Sequence, residues 1–180
     1  MKKKIISRLF IGVFLMMGMS LFATAQNSKA KKLMRDSENA KQAFVKTDKL
    51  MQSLFEGSYG YVMFPNVGKG AIGIGGASGN GIVYEQGAAV GKADLKQVTI
   101  GFQLGGQSYR EVIFFENKAA MDRFKEDNFE FSAQASAIAV TEGASANITY
   151  RDGVLVFTQE KGGLMYEASI GGQRFSFQAF

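Results

Sequence analysis

Residues 64–81 read FPNVGKGAIGIGGASGNG, and the fold turns on what their glycines are for. Gly68, Gly70 and Gly73 satisfy a literal G-x-G-x-x-G with Lys69 inside it, the outline of a phosphate loop. A dinucleotide loop needs a strand before it and a helix after it, so that the helix N-terminus meets the pyrophosphate. The second half is missing here. Residues 71–75, AIGIG, alternate like a strand, and Ile82-Val83-Tyr84 is strand-like again. The Walker pattern fails too, because Gly70 follows Lys69 where Ser or Thr is required. Nucleotide binding is therefore excluded, and the glycines serve backbone geometry: bulges, bends or the close approach of another chain segment. Ser78-Gly79-Asn80-Gly81 has the chemistry of a turn between two such strands.

Upstream, residues 28–55 carry a helical period in Leu33, Ala40, Phe44, Met51 and Phe55, with Leu54 beside them. Thr47 or Asp48 is placed to cap a second short helix over 49–55. Beyond Tyr59 the period falls to two. Residues 61–64 form a short strand ended by Pro65, and residues 96–104 alternate with Val98, Ile100, Phe102 and Leu104 on one face. Residues 110–115, REVIFF, are apolar on both faces at their centre, as in a buried strand. Residues 117–126 return to helix with Ala120, Met121 and Phe124 on one side. Residues 129–140 alternate again, with a row of alanines. The last forty residues are expected to form a meander, with a hairpin at Arg151-Asp152-Gly153 between 148–150 and 154–158. The fold class is α+β in a single domain, an antiparallel β-sandwich or barrel-like body with N-terminal helices and one internal helix.

The ends and the composition narrow the function. Lys2, Lys3, Lys4 and Arg8 precede an apolar run over 9–22 and the small residues Ala23-Thr24-Ala25. That is a secretory signal with cleavage near Ala25; the run, about 14 residues, is short for a spanning helix. The domains then read as a signal over 1–25, an amphipathic helical segment over 26–56 and a β-rich body over 57–180. Without the signal the formal charge falls from +5 to +1, which removes any general nucleic-acid reading. The charge is uneven: +4 over residues 26–50 and −3 over 51–180. The chain has no cysteine and no histidine, so disulfides, thiolate and imidazole metal sites, and Ser-His triads are excluded. No cofactor, metal site or catalytic constellation emerges.

Several stretches then match a known pattern in order. FPNVGKG (64–70), GIGG (73–76) and GNGIVY (79–84) are followed by VTIGFQLGGQ (98–107) and VIFFEN (112–117). FEFSAQASA (129–137) and KGGLMYEASIGGQ (161–173) complete it. Over roughly residues 40–180 the chain resembles the SYLF domain family, the Ysc84-type lipid- or actin-binding domain, in an exported bacterial form. The resemblance implies a β-rich body with helices and no enzymatic activity. It also implies membrane-lipid binding, with actin binding in fungal members. The secretory start places this chain where actin is absent, so an anionic membrane lipid is the partner carried over. The signature residues Phe64, Pro65, Gly68, Gly70, Gly73, Gly75, Gly76, Gly79 and Gly81 carry over as fold features.

The expected function is thus a non-catalytic, lipid-associated domain at the periplasmic or cell-envelope membrane surface. Lys29, Lys31, Lys32 and Arg35, with Lys69 on the glycine-rich stretch, are the candidate headgroup contacts. The alternatives are a small outer-membrane β-barrel, suggested by the aromatic alternation of residues 174–180, and an envelope scaffold protein using a sheet edge or the alanine row 133–139.

Overall fold

A computed structural model describes residues 28–180 apart from 73, 101–106, 127–128, 133–135, 147 and 162–166. The expected secretory signal over 1–25 and Gly73 therefore lie outside the described residues. The chain divides into two compact units, Met1–Arg35 and Asp36–Phe180. Helix α1 runs over 28–47 and α2 over Met51–Gly57. The strands are β1 (Gly60–Ile72), β2 (Ile74–Glu85), β3 (Ala88–Ile100) and β4 (Gln107–Phe115), then helix α3 (Lys118–Lys125). The strands β5 (Phe129–Glu130), β6 (Ser136–Ala139), β7 (Val154–Glu160), β8 (Glu167–Ser169) and β9 (Gln173–Ala179) follow. Among the described residues they form one sheet in the order β5-β9-β3-β2-β1-β4-β7-β6-β8, antiparallel except for the β6–β7 pair.

The sheet is strongly curled, and two contacts prove it. β9 and β4 are four strand spacings apart in the sheet, about 19 Å if it were flat. Yet the Gln173 amide of β9 donates to Glu111 of β4 at 3.0 Å, and the Phe64 and Phe175 rings of β1 and β9 lie 5.8 Å apart. The curl encloses an interior holding Val62, Phe64, Val67, Val83, Leu95, Ile113, Phe115 and Phe175, with Met121 and Phe124 of α3 packed into it. On the outer face, Tyr61, Met63, Val112, Phe114, Leu155 and Phe157 are covered by Ala40 and Phe44 of α1 and by Met51 and Phe55 of α2. Val112 to Phe115 are all fully buried because successive side chains of β4 enter these two cores in turn. The α+β class and the barrel-like body stand.

Local details depart from expectation in instructive ways. The glycine-rich stretch is one long hairpin, β1 against β2, with Ile72 opposite Ile74. Ser78–Gly81, expected to turn, instead lies inside β2. Pro65 does not end its strand: β1 continues through it, with the pairing shifted between Met63 and Val67. A bulge there spares the ladder the N–H that proline lacks. On β3 the interior side is Ala93, Leu95 and Gln97, while Val98 is 75 % exposed; Phe102 and Leu104 fall outside the described residues. Residues 148–150 form no strand, although Asp152 and Gly153 both take positive φ and Arg151 bridges Val154. The last forty residues are no meander, because β9 pairs with β3 and β5 while β8 pairs with β6. The β2–β3 turn at Gln86-Gly87, both at positive φ, has the two-residue form that suits a tight hairpin.

Asn117 caps α3, its side chain accepting from the Ala120 N–H at 3.0 Å, and Lys125 at the other end pairs with Glu85 of β2. Asp48 acts differently from the cap expected of it. Its buried carboxylate accepts from the Leu50 N–H (3.0 Å) ahead of α2 and from both the N–H and hydroxyl of Ser145 (2.8 and 2.6 Å). Burial raises its pKa, but those bonds outweigh burial and hold the carboxyl below its ordinary value. Asp48→Ala is expected to destabilise the domain by about 2–3 kcal/mol, read as a lowered urea midpoint; an unchanged midpoint would mean that water replaces the carboxylate at no cost.

Candidate functional site

The structure sorts the expected contact residues into two places. Lys29, Lys31, Lys32 and Arg35 are all exposed on the first turns of α1. At 100° per residue they fall within an arc of about 160°, opposite Ala30, Leu33 and Met34. Lys69 stands on β1 in the second unit. It lies opposite Ala77 of β2, a residue of the interior core, so it shares the interior side of the sheet. It is half-buried and makes no ion pair among the described residues. Phe64 and Pro65 are buried, Gly68 is exposed, and Gly75 and Gly81 are buried in β2. Backbone pairing places Gly70 opposite Gly76.

Lys69 begins a row that the sequence did not disclose. Lys69 pairs with Ala77, Ala77 with Gln97, and Gln97 with Gln173, so β1, β2, β3 and β9 bring these side chains to one level of the interior. Tyr109 and Glu111 extend the polar end from β4, and Thr158 of β7 lies opposite Glu111. All but Lys69 and Ala77 are buried polar residues or, for Tyr109, a buried phenol. The interior thus has an apolar end filled by α3 and a polar end where none of the described residues forms a helix.

The centre of the polar end is Glu111. It is fully buried, and its Oε2 accepts from the Gln173 amide at 3.0 Å; the same amide nitrogen approaches the Tyr109 hydroxyl at 3.4 Å. Burial pushes the carboxyl pKa up from 4.5 to about 8, against the smaller lowering effect of the Gln173 bond. At neutral pH the group is mostly an uncharged acid. Burial, with Glu111 as neighbour, also raises the Tyr109 phenol. Among the described residues the second carboxyl oxygen, Oε1, and the Gln173 carbonyl oxygen have no hydrogen-bond partner. A buried carboxyl that finds no cation among the described residues is destabilising, and such groups concentrate at functional sites.

Strand alternation could have found Glu111. Tyr109, Glu111, Ile113 and Phe115 share one side of β4, and a charge placed level with Ile113 and Phe115 is a signal. The doubly apolar centre of that strand hid it by making Glu111 look like a terminal charge. Nothing local in the sequence marks Gln173 as its partner.

Among the described residues no group of three or more acidic side chains could hold a metal, and no helix is long and apolar enough to cross a membrane. The fold and interior therefore define a class, an α+β domain whose curled sheet encloses a partly polar core. Residues 96–179 match the model of the Ysc84 family, described as Las17-binding protein actin regulator. The match falls within residues 40–180, the part of the chain whose sequence resembles the Ysc84-type, or SYLF, family. The family is one of binding domains of the lipid- or actin-binding type. Beta cell expansion factor A of Aeromonas veronii is 28 % identical over 125 residues, 68 % of this chain and 47 % of that protein. The chain thus spans about half the length of that relative. The matched family region holds Gln97, Tyr109, Glu111, Thr158 and Gln173, whereas Lys29, Lys31, Lys32, Arg35 and Lys69 all precede it.

Proposed function

We propose that the protein is an exported, non-catalytic domain that associates with anionic phospholipid at the cell-envelope surface. The observation that carries this reading is the opening of α1, where four exposed cations occupy one arc and apolar residues the other. Such a helix lies at a headgroup boundary with its cations toward the phosphates. Each cation near an anionic surface contributes roughly 1 kcal/mol, an effect that salt screens. The lipid- or actin-binding type of the family that residues 96–179 match supports the lipid reading, and the expected secretory signal favours lipid over actin. Lys69 is a secondary contact, since its position on the interior side leaves it only partly available.

The outer-membrane barrel is the weaker reading. A lipid-facing wall requires an apolar band, but the outward side of β2, β3 and β9 exposes Ser78, Asn80, Asp94, Lys96, Arg174 and Ser176. The test is co-sedimentation of the secreted protein with vesicles. Phosphatidylcholine vesicles containing phosphatidylglycerol are expected to retain it at low salt and release it at high salt. The K29E/K31E/K32E/R35E variant should lose affinity by roughly a hundredfold or more. Equal retention by pure phosphatidylcholine would refute the electrostatic mechanism, and no retention by either would refute lipid association.

A further inference from the structure

Among the described residues the three central strands outrun their neighbours at one end of the sheet. The β1–β4 pairing ends at Lys69 and Gln107, and the β3–β9 pairing ends at Gln97 and Gln173. Past those points β1, β2 and β3 continue together, with Ile72 opposite Ile74 and Ile74 opposite Ile100. Residues 70–72, 74–76 and 98–100 thus form a three-stranded tongue, roughly 10 Å long at the rise of a strand. Its sequence holds Ile72, Ile74, Val98 and Ile100 and no charged residue. Val98 is 75 % exposed, more than Leu50 or Phe180, the other exposed large hydrophobics. Charge begins one step back. Lys69 immediately precedes the tongue on β1, and the exposed Lys96 stands two residues before Val98 on β3. No acidic residue occurs on β1, on β2 before Glu85, or on β3 beyond Asp94. Arg174 of β9, opposite Lys96, binds Glu130 at 2.8 Å and so neutralises the acid in that row.

We propose that this tongue is a membrane-inserting element, its apolar tip entering an anionic bilayer while Lys69 and Lys96 meet the phosphates. The inference rests on the lipid reading above but uses another part of the chain, β1 to β3 instead of the opening of α1. Charge and shape select this occupant. An apolar tip on a cationic base has the order of a bilayer surface, with hydrocarbon beneath anionic headgroups. The length of the tongue matches the roughly 5–10 Å to which interfacial elements sink. β2, its middle strand, is paired on both sides, so its backbone carries few bare polar groups into the acyl boundary. A second copy packed tongue against tongue sets these lysines against their own kind, which disfavours self-association. Val98 in water gains nothing from its exposure, whereas in the acyl boundary the same side chain contributes to binding.

The chain contains no tryptophan, so Val98→Trp places a single fluorescent reporter in the tongue. With phosphatidylcholine vesicles containing phosphatidylglycerol, its emission is expected to shift to the blue. Lipids brominated near the top of the acyl chain should quench it, and acrylamide in the water should lose access to it. Val98→Ser is expected to keep the parent's urea midpoint, because the side chain is exposed, and to weaken vesicle retention about tenfold. Retention with a reporter that stays open to acrylamide and unquenched by bromine overturns the tongue and leaves the α1 reading intact. Retention of Val98→Ser equal to the parent's also overturns it, in a protein that carries no added ring. Undiminished retention of K29E/K31E/K32E/R35E with its reporter quenched upholds the tongue and refutes α1 as the contact. A blue shift that grows with protein concentration in the absence of vesicles assigns the tongue to a second copy and overturns the membrane element. No retention of any of these proteins refutes both readings.

Discussion

Replacing Glu111 by Gln is expected to stabilise the domain by about 3–5 kcal/mol at pH 8 and above, and to change little below pH 4.5. The sign follows from where the proton sits. The folded carboxyl holds its proton up to a pKa of about 8, because burial disfavours the charge, whereas the unfolded carboxyl releases it at 4.5. Below 4.5 both states are protonated and the acid costs nothing extra. As the pH rises from 4.5 to about 8, only the unfolded state gains by ionising, at about 1.4 kcal/mol for each pH step. Stability is therefore fully present below 4.5 and falls until the folded carboxyl itself ionises. Gln keeps the shape and an acceptor for the Gln173 amide but has no proton to lose. Urea unfolding of both proteins across this pH range isolates the effect, since every other titrating group cancels in the difference. A difference that stays flat from pH 4.5 to 8 would show that Glu111 is solvated or already paired.

Glu111 also marks where the sequence stops being readable. Element types were legible because they depend on neighbours in the chain. The helix α3 follows from Asn117 and from Ala120, Met121 and Phe124 at helical spacing, and the buried β4 follows from its central VIFF. The paired faces of α1 and α2 followed from Ala40, Phe44, Met51 and Phe55. What failed depends on the curl. The side of β3 that faces inward is set by its pairing with β2 and β9, and it carries Gln97 rather than Val98. The Glu111–Gln173 bond joins residues 62 positions apart across four strand spacings. No local pattern encodes such a contact, so the polar end of the interior was invisible, whereas the exposed cations of α1 could be named in advance. Pro65 misled for a related reason: a bulge, which only the partner strands reveal, lets the strand pass through it.

Gly81→Ala is expected to destabilise the domain by about 2–4 kcal/mol, while Gly68→Ala, four positions into the same signature, stays within about 0.5 kcal/mol of the parent. Both glycines belong to the motif that resembles a phosphate loop, and sequence alone gives no reason to separate them. Geometry separates them sharply. A Cβ on Gly81 would lie 2.8 Å from the Met63 carbonyl oxygen and 2.8 Å from the edge of the Phe64 ring. That ring is fully buried and packs against Phe175, so it cannot swing away without opening the interior. A Cβ on Gly68 meets nothing within 4 Å. Gly79 is an intermediate case, with the Asn66 carbonyl oxygen at 2.9 Å and a Val67 methyl at 3.0 Å. The glycines of β2 thus let the side chains of β1 lie across the neighbouring strand, which is how a sheet this curled keeps its interior filled. Phe64→Leu in the Gly81→Ala background should recover part of the loss, because the shorter side chain removes the ring contact and leaves only the carbonyl. Urea midpoints of the four proteins decide the matter. Equal losses at Gly68 and Gly81 would mean that the motif is held for some property other than this packing, and a phosphate-binding loop would again have to be considered.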